Sequence, residues 1–354
     1  MNAMIENLVR PNILNLKPYS SARDEFKGKA SVWLDANESP VVLPGVQTGM
    51  NRYPEPLQPE LKEKISRIKG VPANRIFIGN GSDEAVDLLF RVFCEPGRDK
   101  ALVFPPTYGM YGVCAAVNDV QVIESLLDEQ FSINLKEIGK KTMENPKLTF
   151  ICNPNNPTGN VQSHETIRRI IEASKGIVVV DEAYVDFCPE QSVLSWIEQY
   201  HNLVVLQTLS KAWGLAGARI GLAFASPEII SVLNRVKFPY NIGKPSIELA
   251  SAALDQEQEI KERVGEIINQ RNLLMNSLSA FTFVEKIFPS SANFLLVKFR
   301  ESEKIYQYLA GKGIIVRDRS KQPGCKGCLR ITVGTQTENK TLLKALKELE
   351  NKQQ

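Results

Sequence analysis

The sequence predicts an α/β fold, a doubly wound and mostly parallel sheet followed by a smaller α+β unit. Three observations predict it. Short apolar runs and helix-period segments alternate from about Ile76 to Phe224 with brief connections, the pattern of strands joined by crossover helices. The run Ile177-Val178-Val179-Val180 is apolar throughout, as a strand buried on both faces requires. Beyond Ser226-Pro227 a charged helical stretch leads into three further strand-like segments, enough for a second, smaller unit.

The elements follow in chain order. Residues 1 to about 45 are expected to form an extended arm and part of the small domain, residues 46–243 the large domain and 244–354 the small one. A strand at 75–78 ends in Gly79-Asn80-Gly81-Ser82-Asp83-Glu84, which opens a helix over 85–93. Strand 101–104 ends in Phe104-Pro105-Pro106-Thr107-Tyr108-Gly109, and strand 148–152 in Asn153-Pro154-Asn155-Asn156-Pro157-Thr158-Gly159, whose two X-Pro bonds favour an extended loop. Strand 177–180 delivers Asp181-Glu182-Ala183-Tyr184, and strand 203–206 ends in Thr-Leu-Ser-Lys at 208–211. A helix runs from Pro227 to Val236, 239–245 reads as a hinge, and 246–281 reads as helical. The small unit then takes strands at 293–298, 313–316 and 329–333 and helices at 301–309 and 337–350.

The strand ends carry the chemistry, because open α/β sheets keep their ligand crevices there. Lys211 lies between small residues with Arg219 close behind, which presents an amine to an aldehyde cofactor beside a phosphate site. Asp181 closes the neighbouring buried strand, where a carboxylate can keep a pyridine nitrogen protonated. Together they point to pyridoxal phosphate. Neighbouring positive charge or desolvation has to free the lysine amine, since an ordinary lysine is protonated at neutral pH. The glycines before helix 85–93 offer backbone N–H groups and a positive dipole end to a phosphate. Tyr108 suits stacking on a ring, and an asparagine in the Asn-Pro loop suits donation to a phenolic oxygen. Each residue also has a plain reading, as a helix cap, a turn or a core aromatic. Their conjunction at successive strand ends favours the site.

The motifs N-P-N-N-P-T-G, D-E-A-Y and T-L-S-K-A-W-G-L-A-G-A-R-I-G (208–221) resemble those of fold-type I pyridoxal-phosphate aminotransferases, in the class that includes histidinol-phosphate aminotransferase. Pro18-Tyr19-Ser20-Ser21-Ala22-Arg23, Leu34-Asp35-Ala36-Asn37-Glu38-Ser39-Pro40, Asn51-Arg52-Tyr53-Pro54, Ile315 to Arg319 and Leu329 to Thr335 continue the likeness over nearly the whole chain. Ser39 departs from the family's frequent N-E-N-P. The resemblance implies a mostly parallel seven-stranded sheet. It assigns Lys211 to covalent attachment of the cofactor and proton transfer, Asp181 to the pyridine nitrogen and Tyr108 to the ring face, these three as catalytic residues. It places Asn156 and Tyr184 on the phenolic oxygen, Ser82, Asp83, Ser210 and Arg219 around the phosphate, and Tyr53 at that phosphate from the partner of a homodimer. It gives Arg330 to the substrate carboxylate and Tyr19 to a closing arm, with Asn37 deeper in the substrate site. The implied reaction passes an amino group between L-histidinol phosphate and 2-oxoglutarate in histidine biosynthesis.

Composition sets limits. With 43 basic and 40 acidic residues among 354, no field argues for nucleic acid or a membrane surface. Six scattered cysteines suggest reduced thiols in a cytosol, and the first ten residues hold no signal-peptide core. Cys325-Lys326-Gly327-Cys328 has no second pair at zinc spacing and the chain has only His164 and His201. No metal site is expected, and the two thiols read as adventitious members of a loop. Three alternatives stay open from sequence: an aromatic or other amino-acid aminotransferase, a pyridoxal-phosphate-dependent phospho-amino-acid decarboxylase, and a non-enzymatic cofactor-binding regulator, the last lacking room for a DNA-binding domain.

Overall fold

The computed structural model describes residues 3–19, 30–47 and 49–352. The larger sheet has seven strands, β1 (Ile76–Asn80), β2 (Lys100–Val103), β3 (Gln121–Glu124), β4 (Leu148–Cys152), β5 (Ile177–Asp181), β6 (Leu203–Thr208) and β7 (Ile220–Phe224). Their spatial order is β1-β7-β6-β5-β4-β2-β3. Strands β2 to β6 pair in parallel, while β7 runs antiparallel to both β1 and β6. The helices that precede and cross this sheet are α1 (Ala3–Glu6), α2 (Pro11–Leu14), α3 (Pro59–Lys69), α4 (Ser82–Phe93), α5 (Met110–Val117), α6 (Leu135–Thr142), α7 (His164–Ala173) and α8 (Pro227–Val236).

Alternation along each strand feeds two cores. In β5, Val178 and Val180 join one cluster with Leu61 and Ile65 of α3 and Ile167 and Ile170 of α7, while Ile177 and Val179 join the other with Phe90 and Phe93 of α4 and Ile229 and Leu233 of α8. Side chains of successive strand residues point to opposite faces, so a sheet covered on both sides needs an apolar residue at every position. The Ile-Val-Val-Val run meets that need, and Asp181 at its end is the first polar residue.

The second sheet, β8 (Val284–Ile287), β9 (Phe294–Phe299), β10 (Arg317–Asp318) and β11 (Cys328–Thr332), is antiparallel in the order β10-β11-β9-β8. It is accompanied by α9 (Lys244–Leu254), α10 (Glu257–Leu278), α11 (Ser302–Gly311) and α12 (Gln336–Asn351). Leu274 and Leu278 of α10, Ile305 and Leu309 of α11 and Leu342 and Leu346 of α12 pack with the sheet's Leu295, Val297, Leu329 and Ile331. The start of α12 is fixed by a capping box, in which the Thr335 hydroxyl accepts from Glu338 N and the Glu338 carboxylate accepts from Thr335 N.

Four expectations are corrected here. The helical stretch 246–281 is two helices, because α9 stops at Leu254 before its C-cap Asp255, whose carboxylate is ion-paired at 2.6 Å with Lys64 of α3. The proposed hinge 239–245 closes early, since Lys244 and Pro245 open α9 and proline suits a first helical turn. No strand forms over 313–316. Gly313 turns out of α11 at φ +76°, and pairing with β11 starts only at Arg317. Finally, Cys325 and Cys328 are fully buried and pack with Phe131, Phe288 and Leu296. They belong to a small apolar core at the start of β11, and are not adventitious members of a loop.

Candidate active site

The C-terminal ends of β4, β5 and β6 and the N-terminus of α4 converge on one cavity of about 240 Å³. Asp181 enters it from β5. The side chain is buried, its Oδ1 accepts from Ala183 N at 3.1 Å, and its Oδ2 accepts from the Tyr111 hydroxyl at 2.6 Å. Burial raises its pKa above the ordinary carboxylate value, and these two hydrogen bonds act in the other direction. The next residue points away. Glu182 accepts from Val193 N at 2.6 Å, Ser192 Oγ at 2.8 Å and Gln207 Nε2 at 2.9 Å, and burial pushes its carboxyl up to about 7. The Asp-Glu pair thus divides between the cavity and an internal brace.

Lys211 follows the turn that ends β6, with Nζ 5.7 Å from the centre of the Tyr184 ring. Its pKa is lowered, first by burial and then by the charge of Arg330, with Arg219 a smaller contributor and Asp181 and Asp83 opposing. Of the two arginines, Arg330, brought in from β11, is the stronger neighbour and Arg219 the weaker. Arg330 Nη1 donates to Asn156 Oδ1 at 2.5 Å, and Asn156 Nδ2 donates to the Tyr184 hydroxyl at 3.4 Å. Those three residues line the same cavity. The Asn153–Pro154 and Asn156–Pro157 bonds of this loop are both cis.

At another wall of the cavity, Gly81 has no side chain to cap α4, which leaves that helix start available to an anion. Gly81 N donates to Arg219 O at 2.7 Å, and the Arg219 guanidinium lies where a Gly81 Cβ would stand. Arg219 itself takes φ +56°, and its Nη2 is 3.5 Å from Asp83 Oδ2. The Tyr108 hydroxyl donates to Asp83 Oδ1 at 3.0 Å, and Ser210 Oγ lies 3.0 Å from Thr208 Oγ1. A Cβ on Gly221 would collide with the backbone of Gly81 and Ser82. Gly221→Ala is therefore expected to destabilise the protein by about 1–3 kcal/mol through overpacking and to loosen the wall. Thermal denaturation of the cofactor-free protein checks this, and an unchanged melting temperature would contradict so close an approach.

Three expected residues stand outside this cavity. Tyr19 is 72% exposed. Tyr53 is half exposed and stacks on Tyr240 with ring centres 4.5 Å apart. Asn37, expected deep in the substrate site, instead lines a separate cavity with Tyr53, Arg52 and Lys244. The cause is local: Glu38 is paired with Arg52 at 2.8 Å and accepts Tyr53 N–H at 2.6 Å, which folds this stretch upon itself. Ser20 to Arg23 of the arm motif lie outside the described residues. Conversely, the sequence assigned no role to Thr208 and Arg319, which line the cavity, nor to Tyr111, which stands behind Asp181. Arg319 Nε is buried without a hydrogen-bond partner among the described residues.

Among the described residues no group of His, Cys, Asp and Glu side chains is arranged to hold a metal ion, and no helix is long and apolar enough to cross a membrane. Residues 13–346 match the family described as aminotransferase class I and II. The chain is 50% identical over 345 residues to a histidinol-phosphate aminotransferase of Parabacteroides distasonis, covering 98% of this chain and 99% of that one. It is 49% identical over 343 residues to one of Cytophaga hutchinsonii, covering 97% and 98%. The crystal structure of the histidinol-phosphate aminotransferase from Clostridium acetobutylicum superposes with a TM-score of 0.78 at 25% identity over 86% of this chain and 92% of that one. An L-threonine-O-3-phosphate decarboxylase from Porphyromonas gingivalis shares the fold, with a TM-score of 0.73 at 23% identity over 85% and 91%. By sequence over nearly its full length and by fold, the chain belongs to the class I and II aminotransferases and, within them, to the histidinol-phosphate aminotransferase family.

Proposed function

We propose that the protein binds pyridoxal phosphate and transaminates between L-histidinol phosphate and 2-oxoglutarate, giving imidazole-acetol phosphate and glutamate. One observation carries it: a lysine of lowered pKa, a buried carboxylate and a glycine-lined helix start beside an arginine meet in one cavity of a chain half-identical to relatives that bear that name. The donor set fits the cofactor. Asp181 would face the pyridinium nitrogen, Asn156 and Tyr184 would donate to the phenolic oxygen, Ser82, Asp83, Ser210 and Arg219 would surround the phosphate, and Tyr108 would lie against the ring. The large unit 46–243 would carry the cofactor and the unit 244–354 the substrate arginines, in a cytoplasmic homodimer.

When bound, the cofactor supplies an aldehyde that captures amines and a ring that delocalises the electron pair left at Cα. Lys211 Nζ takes the Cα proton from the amino donor and returns a proton to Cα when the oxo acid is converted. Asp181 holds the ring nitrogen protonated. Arg330 binds the carboxylate of glutamate, and together with Arg319 it meets the phosphate of the other substrate. A phosphate monoester carries close to two charges at neutral pH, and the unpartnered Arg319 Nε offers a donor for it.

Two tests follow. Tyr19→Phe is expected to raise KM for histidinol phosphate by about 10-fold or more through loss of a hydrogen bond to a charged group, with little change for glutamate. Equal effects on both substrates would contradict a phosphate-binding arm. Tyr53→Phe subunits mixed with Lys211→Ala subunits are expected to regain activity in heterodimers, which hold one site of wild-type composition. No recovery despite proven subunit exchange would contradict a shared site.

A further inference from the structure

We infer that Tyr111 is a positioning residue for the reaction: its phenol holds the Asp181 carboxylate ionised and aimed at the cofactor's ring nitrogen. The inference rests on the function proposed above and assigns a role to a residue that touches neither substrate nor cofactor. Tyr111 is fully buried on α5 and donates to Asp181 Oδ2 at 2.6 Å from 70 residues away in sequence. Its ring is locked from two sides, stacked on Phe150 at 4.7 Å and 15° and edge-on to Tyr108 at 5.5 Å and 84°. The hydroxyl therefore comes from a rigid wall. With Ala183 N–H on Oδ1 at 3.1 Å, both carboxylate oxygens are tied, which fixes the plane of the group.

The need for such a donor comes from burial. A carboxyl in this position is driven toward its neutral form, in which it no longer favours a protonated pyridine. The charged groups facing it are Asp83, which adds to that drive, and Lys211, which opposes it. The other titratable neighbours, Tyr108, Tyr184 and Cys152, are all pushed above their ordinary values, chiefly by burial, and stay uncharged. Among the side chains, the Tyr111 phenol makes the largest contribution favouring the ionised form. Burial and the nearby Asp181 charge raise the phenol's own pKa well above its ordinary range, so it remains a donor throughout.

Tyr111→Phe keeps the ring and its stacking and removes only the donor. In the cofactor-free protein carrying 13C-carboxyl aspartate, with the Asp181 signal assigned by its loss in Asp181→Asn, the titration midpoint of Asp181 is expected to move about 1–2 pH units upward. In the loaded enzyme, a cofactor labelled with 15N in its ring is expected to shift toward the unprotonated position. kcat should fall about 10- to 100-fold, with KM nearly unchanged. Should the phenylalanine variant fold poorly, 3-fluorotyrosine placed at position 111, a stronger donor, is expected to move the midpoint downward. An unchanged midpoint in the cofactor-free variant overturns the coupling, whatever the enzyme's chemistry. A moved midpoint with an unmoved 15N signal and unchanged kcat overturns the role in the reaction. If Asp181→Asn also keeps normal turnover, the failure lies with the proposed function.

Discussion

Lys211→Ala is expected to lower turnover by at least about 10⁴-fold, because it removes both the amine that captures the cofactor and the base that moves the Cα proton. The fold should survive, since the Lys211 side chain opens onto the cavity and packs in neither core of the larger sheet. Steady-state kinetics and a melting curve separate these effects. The chemical assignment has its own check. Protein incubated with pyridoxal phosphate and reduced with borohydride should carry the label on Lys211 after peptide mapping. The lowered pKa adds a pH signature: relative to solvent-exposed lysines, Lys211 has more neutral amine near neutral pH, so its labelling should persist at a pH where other lysines no longer react. Its capture is lost as pH falls below its own depressed pKa. A label elsewhere, or turnover within tenfold of wild type, would remove Lys211 from the centre of the mechanism.

Asp181→Asn is the second large effect. Volume and polarity hardly change, and the asparagine can still accept from Tyr111 or Ala183, so the protein should fold. The charge, however, is gone. A neutral pyridine is a poor electron sink, and turnover is expected to fall by about 10³-fold or more, equivalent to roughly 4 kcal/mol in the barrier. The measurement is kcat beside the cofactor dissociation constant. Loss confined to cofactor affinity, with kcat intact, would reduce Asp181 to a binding contact.

Much of this site is legible in the chain because its parts sit at strand ends, where local pattern alone fixes position. The run 177–180 is apolar at every residue, so Asp181 had to emerge at its edge, and the same holds for Thr208 to Lys211 after β6. The glycines before α4 and the arginine at 219 were legible for the reason that close packing needs missing side chains: the Arg219 guanidinium fills the place of a Gly81 Cβ, and the Gly81–Ser82 backbone that of a Gly221 Cβ. What was missed depends on partners distant in sequence. Tyr111 reads as one more core aromatic until β5 brings Asp181 to it. Arg319 reads as surface until the short β10–β11 pairing turns it toward the cavity. The apolar stretch 313–316 looked like a strand, yet Gly313 breaks its line and no neighbour strand pairs with it. Asn37 lines a separate cavity because Glu38, through Arg52 and Tyr53 N–H, decides where that segment lies.

A single half-reaction tests the central claim most directly. Enzyme loaded with pyridoxal phosphate is mixed with L-histidinol phosphate in the absence of any oxo acid, and the cofactor's visible absorbance and the products are followed together. One equivalent of imidazole-acetol phosphate per site, formed as the absorbance of the aldehyde form is lost and reversed on adding 2-oxoglutarate, is the predicted result. In a parallel panel, histidinol phosphate should react faster than phenylalanine or tyrosine, and O-phosphothreonine should release no carbon dioxide. Preferred reaction with an aromatic amino acid, carbon dioxide from the phosphorylated amino acid, or no loss of absorbance with histidinol phosphate would contradict the account.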